Sequence, residues 1–96
     1  MTEEELLESL NEKQQLVEIL SEAGWKCEQD GFLYSAMRHH RQALSTITEC
    51  LYITQELFDK VATSEFLELA TQRIDDIRRI NNKLRTEYDK EIKNDV

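Results

Sequence analysis

The chain contains no proline and only two glycines, so almost nothing in it interrupts a helix. A sheet protein of this size would need several turns, and turns use Gly, Pro, Asn and Asp. The stretches on either side of Gly24 and Gly31 are instead rich in Leu, Glu, Lys, Arg and Gln, which favour helix. An all-α fold is therefore predicted, and a length of 96 residues predicts one domain spanning 1–96.

The letters EQDG at residues 28–31 predict where the first helix ends. Glycine adopts positive φ without steric cost, which a helix C-terminus requires. Because helical spacing resumes directly after Gly31, a tight antiparallel corner is predicted there. At the other end, Thr2 and Glu5 have the spacing of a capping box. The first helix is predicted at about residues 2–30.

Apolar residues at three- and four-residue steps predict which helix faces are buried. The first helix carries one stripe, at Leu6, Leu7, Leu10, Leu16, Val17, Leu20, Ala23 and Cys27. The second helix, at about 32–60, carries two neighbouring stripes: Leu33, Met37, His40, Leu44, Ile47, Leu51, Thr54 and Phe58, and then Ala36, Ala43, Cys50 and Leu57. Two stripes predict that the second helix lies between the other two, with Leu44 and Ile47 at its centre.

A strict seven-residue repeat marks the third helix, predicted at about 65–90. Its members, here called the heptad stripe, are Leu67, Ala70, Ile74, Ile77, Asn81, Leu84 and Tyr88. The stripe is predicted to face the second helix, with Arg73, Asp76, Arg79 and Lys83 in water. A break near 59–64 is predicted, and the alternative is one helix from Phe32 to the end. The result is an antiparallel three-helix bundle whose ends, 1–5 and 91–96, fray.

Net charge narrows the classes of partner. The chain has 20 acidic and 12 basic residues, a formal charge of −8, which argues against a nucleic-acid or anionic-membrane surface. Two cysteines form no disulfide framework and suit a reducing compartment. The acidic start is not a signal peptide, and no apolar run approaches the roughly 20 residues of a membrane span. A cytoplasmic chain without direct membrane insertion is predicted.

The residue types that form catalytic and metal sites in other proteins show no such pattern in this sequence. His39 and His40 are adjacent, and adjacent helical side chains point about 100° apart, so they cannot both bind one ion. Cys27 and Cys50 lack the paired spacing of a zinc site and lie on apolar stripes, where thiols act as small hydrophobes. No phosphate loop or nucleophile motif is present. Catalytic residues, metal ligands and cofactors are therefore not predicted, and the chain is not expected to be an enzyme.

Two further residues have alternative interpretations. Trp25 lies beside the first-helix stripe, so it either covers the core near the corner or stands partly exposed as an anchor for a partner. Asn81 interrupts the apolar heptad stripe. It either sets the register of a coiled-coil dimer or marks where the bundle edge meets water.

The corner AGWKCEQDGFLYSAMRHHRQAL, residues 23–44, resembles the helix corner of MIT (microtubule-interacting and trafficking) domains and of tetratricopeptide repeats. The matching residues are Ala23, Glu28, Asp30, Gly31, Tyr34 shifted by one place, Ala36, His40 where a tyrosine is usual, Ala43 and Leu44. Tetratricopeptide units repeat every 34 residues or so, and no second copy of the corner occurs here. One copy followed by one amphipathic helix is the MIT arrangement.

The resemblance implies a protein–protein interaction module in membrane trafficking. Such domains bind short segments of a partner in a groove between the second and third or the first and third helices. The acidic residues along the third helix either receive a basic peptide or form an ordinary solvated face; they are Glu65, Glu68, Asp75 and Asp76. Two alternatives remain: a self-assembling helical dimer or structural subunit, and a small helical chaperone or inhibitor dedicated to one partner. The oligomeric state is expected to be monomer or homodimer.

The third helix is predicted to carry the recognition. Arg73, Asp76, Ile80 and Lys83 lie three or four residues apart on one edge beside the heptad stripe, so one ligand could touch all four. They are the predicted partner-binding residues.

Overall fold

The computed structural model describes residues 2–58 and 64–94 as three α-helices. Helix α1 spans Glu3–Gln29, α2 spans Leu33–Phe58 and α3 spans Ser64–Asn94. Helix α2 packs against both α1 and α3, so the predicted all-α three-helix bundle is confirmed. The predicted break falls on residues 59–63, which lie outside the described residues. The structure has separate helices on either side of it, and α3 continues past its predicted end at residue 90.

Local signals set both ends of α1. The Glu5 amide donates a hydrogen bond to Thr2 Oγ1 at 3.2 Å, as an N-cap requires. At the other end Gly31 has φ 85°, the Phe32 amide donates to the Cys27 carbonyl at 2.8 Å, and the Gly31 amide donates to Glu28 at 3.1 Å. This pair of bonds is a Schellman motif, which closes α1 and starts α2 within a few residues.

Apolar packing divides into two clusters along the bundle. One cluster joins all three helices and consists of Leu10, Val17, Ile47, Cys50 and Phe66. The other lies near the corner and consists of Leu33, Ala36, Met37 and Ile80. Since early α1 residues pair with late α2 residues, and early α2 residues with late α3 residues, both neighbouring pairs are antiparallel. Helices α1 and α3 consequently run parallel.

Helix α3 is rotated relative to the sequence prediction. Its buried residues are Phe66, Arg73, Asp76 and Ile80, with Leu69, Ala70, Ile77 and Leu84 half-buried. The prediction that Arg73 and Asp76 face water is wrong, because both lie in the interior. The heptad stripe instead lies at the edge of the interface with α2. Leu67, Ile74, Asn81 and Tyr88 are exposed.

Smaller corrections concern the other two helices. Leu7 and Leu16 are exposed, whereas Ser21 and Gly24, which the apolar pattern passed over, are buried. On α2, Ile47 is fully buried as predicted, but Leu44 is only half-buried. No helix among the described residues is long and apolar enough to span a membrane.

Candidate binding groove and the polar layer beside it

A groove of about 530 Å³ runs between α1 and α3. Its apolar lining comes from Val17, Phe66 and Leu69, and its polar and aromatic lining from Gln14, Ser21, Trp25, Gln72 and Arg73. Glu18 and Glu22 of α1 and Glu65 of α3 also line it, and all three are exposed. The groove therefore combines an apolar floor with an acidic rim.

A polar layer, formed by Trp25, His40, Arg73 and Asp76, separates the two apolar clusters. His40 lies at its centre. The His40 side chain is fully buried, and neither ring nitrogen has a hydrogen-bond partner among the described residues. The nearest carboxylate oxygen, Asp76 Oδ2, is 3.8 Å from Nδ1, too far for a hydrogen bond. Burial lowers the pKa of His40 below its usual value, although Asp76 acts in the opposite direction. The imidazole is consequently neutral at neutral pH.

Asp76 is the acceptor on which this layer converges. Its Oδ2 accepts a hydrogen bond from Trp25 Nε1 at 3.1 Å and lies 3.2 Å from Arg73 Nη2. Its Oδ1 lies 2.7 Å from Arg79 Nη2. Two guanidinium groups and an indole N–H thus compensate a carboxylate that has left water, which is the condition for burying such a charge.

Arg73 forms the link between the polar layer and the groove. It is 3% exposed, its guanidinium carbon lies 4.7 Å from the centre of the Trp25 ring, and both residues line the groove. Burial lowers the pKa of Arg73, and its Nε has no hydrogen-bond partner among the described residues. Trp25 is 41% exposed, so its ring covers Arg73 on one side and meets solvent on the other. Trp25 therefore covers the interior, as one of its two interpretations predicted, and its role as an anchor for a partner stays a prediction.

A second ion-pair group ties the end of α1 to α3. Glu28 accepts two hydrogen bonds from Arg79, at 2.9 Å to Nε and 2.7 Å to Nη2, and one from Lys83. The Arg79 hydrogen bond lowers the pKa of Glu28 to about 2. A bidentate arginine–carboxylate pair fixes orientation as well as charge, so this contact sets how α3 lies on the corner.

The four predicted partner-binding residues do not form an exposed edge. Arg73 and Asp76 belong to the polar layer, and Ile80 is fully buried in the cluster near the corner. Lys83 is half exposed but bound to Glu28. Among the four, only Arg73 lines the groove.

Among the groove residues on α1, only Trp25 was considered from the sequence as an anchor for a partner, and the polar residues were not predicted to line a groove. Gln14, Glu18, Glu22 and Trp25 follow one another at four- and three-residue steps, and Ser21 lies four residues before Trp25, so these residues share a helix face. A signal was present in this spacing. It was weak because the face is polar, and polar faces usually meet only water.

The structure also shows the surroundings of the histidines and cysteines. The His39 ring nitrogen Nδ1 lies 2.6 Å from the Ser35 carbonyl, within its own helix. Cys50 is buried and its pKa is raised by that burial, which makes the thiol unreactive. Within residues 2–58 and 64–94, no three His, Cys, Asp or Glu side chains come close enough together to hold a metal ion.

Comparisons with protein-family models, with curated proteins and with solved structures each found no match to this chain.

Proposed function

We propose that this chain is a non-enzymatic interaction module of the cytoplasm that binds a basic amphipathic helical segment of a partner protein in the groove between α1 and α3. The observation that carries the proposal is the groove itself, in which apolar side chains lie beneath three exposed glutamates. Helices recognised in grooves present apolar anchors at i, i+3, i+4 and i+7.

The charge of the rim selects the partner. Glu18, Glu22 and Glu65 stand on both sides of the groove, and the chain as a whole carries a formal charge of −8. Lysine or arginine side chains flanking the apolar anchors of a ligand would meet these carboxylates. Such complementarity speeds association and disfavours acidic competitors.

The length of the groove suits a short segment. Its α1 wall runs from Gln14 to Trp25, which at about 1.5 Å per residue is roughly 17 Å, or three helical turns. Three turns present three or four anchor positions. Trp25, partly exposed at one end of this wall, offers an aromatic surface for the last anchor.

The resemblance of the corner to MIT domains supports membrane trafficking as the process. That family uses the groove between its first and third helices for one class of partner segment. The acidic rim and the parallel arrangement of α1 and α3 are compatible with this mode of binding.

The test is a pair of charge-reversal variants on the same helix. Glu18→Lys/Glu22→Lys changes two rim residues four positions apart, and Glu4→Lys/Glu8→Lys makes the same change outside the groove. The probe is a synthetic helical peptide with leucines at i, i+3, i+4 and i+7 and lysines elsewhere. A second peptide replaces every lysine with glutamate.

Isothermal titration should show that the parent and the Glu4/Glu8 variant bind the lysine peptide. The Glu18/Glu22 variant should bind at least about tenfold more weakly, which is about 1.4 kcal/mol. The glutamate peptide should not bind the parent. Equal loss of affinity in the two variants would show that net charge and not the groove attracts the peptide, and the proposal would then be wrong.

A further inference from the structure

An apolar stripe on α3 is left partly uncovered by the bundle. Leu67 is 52% exposed and Ile74 is 38% exposed, and these two belong to the heptad stripe. The other apolar members near them, Ala70 and Ile77, are half-buried against the core clusters. The bundle formed by a single chain therefore packs against only one side of the heptad stripe.

The spacing of the stripe is more regular than the single chain needs. Leu67, Ala70, Ile74, Ile77, Asn81 and Leu84 alternate three- and four-residue steps without exception, which places them at the a and d positions of a coiled coil. The face that the bundle actually buries is centred one position away, on Phe66, Arg73 and Ile80. The a positions of this seam, Leu67 and Ile74, are exposed, whereas its d positions, Ala70 and Ile77, lie at the edge of the bundle, so the exposed side of the seam is available to another helix.

We propose that the heptad stripe of α3 pairs with the same stripe of a second copy of this chain, in antiparallel orientation about a twofold axis. In this pairing Leu67 lies opposite Leu84 of the partner copy, and Ala70 opposite Asn81. At the centre Ile74 lies opposite Ile77. Each pair places an a position against a d position, as antiparallel coiled coils require, and the same surface serves both copies.

Charged residues on the exposed side of the heptad stripe favour the antiparallel orientation. Glu68 and Asp75 lie in the first half of the stripe, Arg78 and Arg85 lie in the second half, and all four are exposed. In the register above, Arg78 of one copy comes within about two residues, or roughly 3 Å along the axis, of Asp75 on the other. Arg85 has the same offset from Glu68. The two copies therefore bring opposite charges together at four symmetric places.

A parallel pair would lose this complementarity. Its e position, Arg78, would face the g position of the other copy, which is Arg73. Arg73 is buried in its own bundle and is already a cation, so it offers Arg78 no anion. The antiparallel register also places Asn81 beside the small Ala70, where its amide can reach water.

Sedimentation over a range of concentrations measures the pairing directly. The parent should pass from monomer to dimer as concentration rises. Ile74→Glu should raise the dimer dissociation constant by at least about tenfold. Ile19→Glu is the matched control, because Ile19 is an exposed isoleucine of α1 outside the stripe, and it should leave the constant unchanged. If the parent stayed monomeric at every concentration, the stripe would not pair with a second copy of the chain, and the proposal would be wrong.

Orientation is tested by disulfide formation between two variants. Mixing Ile74→Cys with Ile77→Cys under mild oxidation should give mainly the mixed disulfide, since only these two positions face each other in the antiparallel pair. The parent, which retains Cys27 and Cys50, controls for bridges through the native thiols. Predominant bridging of Ile74→Cys to itself would indicate a parallel pair and contradict the assignment.

A charge swap tests the register. Asp75→Arg and Arg78→Asp should each raise the dissociation constant, while the double variant should return it close to that of the parent. Circular dichroism of the dilute monomers checks that the fold persists. A double variant no better than either single variant would show that Asp75 and Arg78 do not meet across the interface.

Discussion

Gly24 of α1 lies directly against the imidazole of His40 on α2. A Cβ atom at position 24 would come 2.6 Å from His40 Nε2 and 2.7 Å from Cε1, closer than such atoms approach in proteins. The missing side chain is therefore what lets the two helices cross closely enough to enclose His40. The apolar pattern of the sequence passed over this glycine, and only the structure shows that His40 fills the space beside it.

Gly24→Ala should destabilise the chain in spite of improving helix propensity. Alanine gains about 1 kcal/mol over glycine in a helix interior. Overpacking against the fully buried ring of His40 costs typically about 1–3 kcal/mol. We expect urea denaturation to show a net loss of stability.

The double variant Gly24→Ala/His40→Ala tests that the loss comes from this contact. Removing the ring removes the clash, so alanine at position 24 should be neutral or stabilising in the His40→Ala background. If Gly24→Ala stabilises the parent itself by about 1 kcal/mol, the close contact with His40 does not exist in solution.

Alanine variants of Asp76 and of its neighbour Asp75 compare a buried carboxylate with an exposed one. Asp76 compensates Arg73 and Arg79 and accepts the Trp25 hydrogen bond, so Asp76→Ala leaves buried Arg73 without its anion. Breaking a buried ion pair in this way costs about 3–5 kcal/mol. Asp75 is exposed, and Asp75→Ala should change stability by no more than about 0.5 kcal/mol. If the two variants had similar unfolding free energies, Asp76 would lie at the surface and not in the interior, and the prediction would be wrong.

Stability should fall as the pH falls below about 6.5, because the buried His40 resists protonation. The groups that face it are Asp76, Arg73 and Arg79 from α3 and Glu28 from α1, and burial outweighs their combined effect to lower the pKa of His40. In the unfolded chain His40 takes up a proton near the ordinary histidine pKa of 6.5, whereas in the folded chain it does so only at lower pH. The stabilisation is thus fully present above 6.5 and declines below it, by at most about 1.4 kcal/mol per pH unit.

A variant of His40 tests this titration. His40→Gln should flatten the dependence of unfolding free energy on pH between about 7 and 5, because glutamine takes up no proton in either state. The single tryptophan, Trp25, reports the transition by fluorescence. A slope that persists in His40→Gln would show that another group causes the pH dependence, and the prediction would be wrong.

Gly31 offers a test of the corner that does not depend on packing. Its φ is 85°, and nothing lies within 4 Å of where a Cβ would be, so the cost of a side chain is purely conformational. Gly31→Ala should cost roughly 1 kcal/mol and Gly31→Asn less, because asparagine tolerates left-handed backbone. Thermal melting of the two variants should rank them in that order, and equal melting temperatures would argue against a left-handed residue 31.

Local features of the sequence were enough to predict the first helix and the corner that follows it. The Thr2 cap, the glycine at position 31 and the absence of proline act through backbone geometry within a few residues, so the sequence alone indicated where α1 ends and how the corner turns. The central position of α2 followed in the same way, because its two neighbouring stripes needed two partners.

The rotation of α3 was decided only by the tertiary structure. Hydrophobic periodicity favours burying the heptad stripe, yet the bundle buries Arg73 and Asp76. These side chains are stable there because the indole of Trp25, 51 residues from Asp76 along the chain, donates a hydrogen bond to Asp76 and lies over Arg73. Arg79 also pairs with Asp76, and it is held by the carboxylate of Glu28, 51 residues away. Periodicity counts apolar residues along one helix, whereas the free energy of burying a charge depends on partners that only folding brings near.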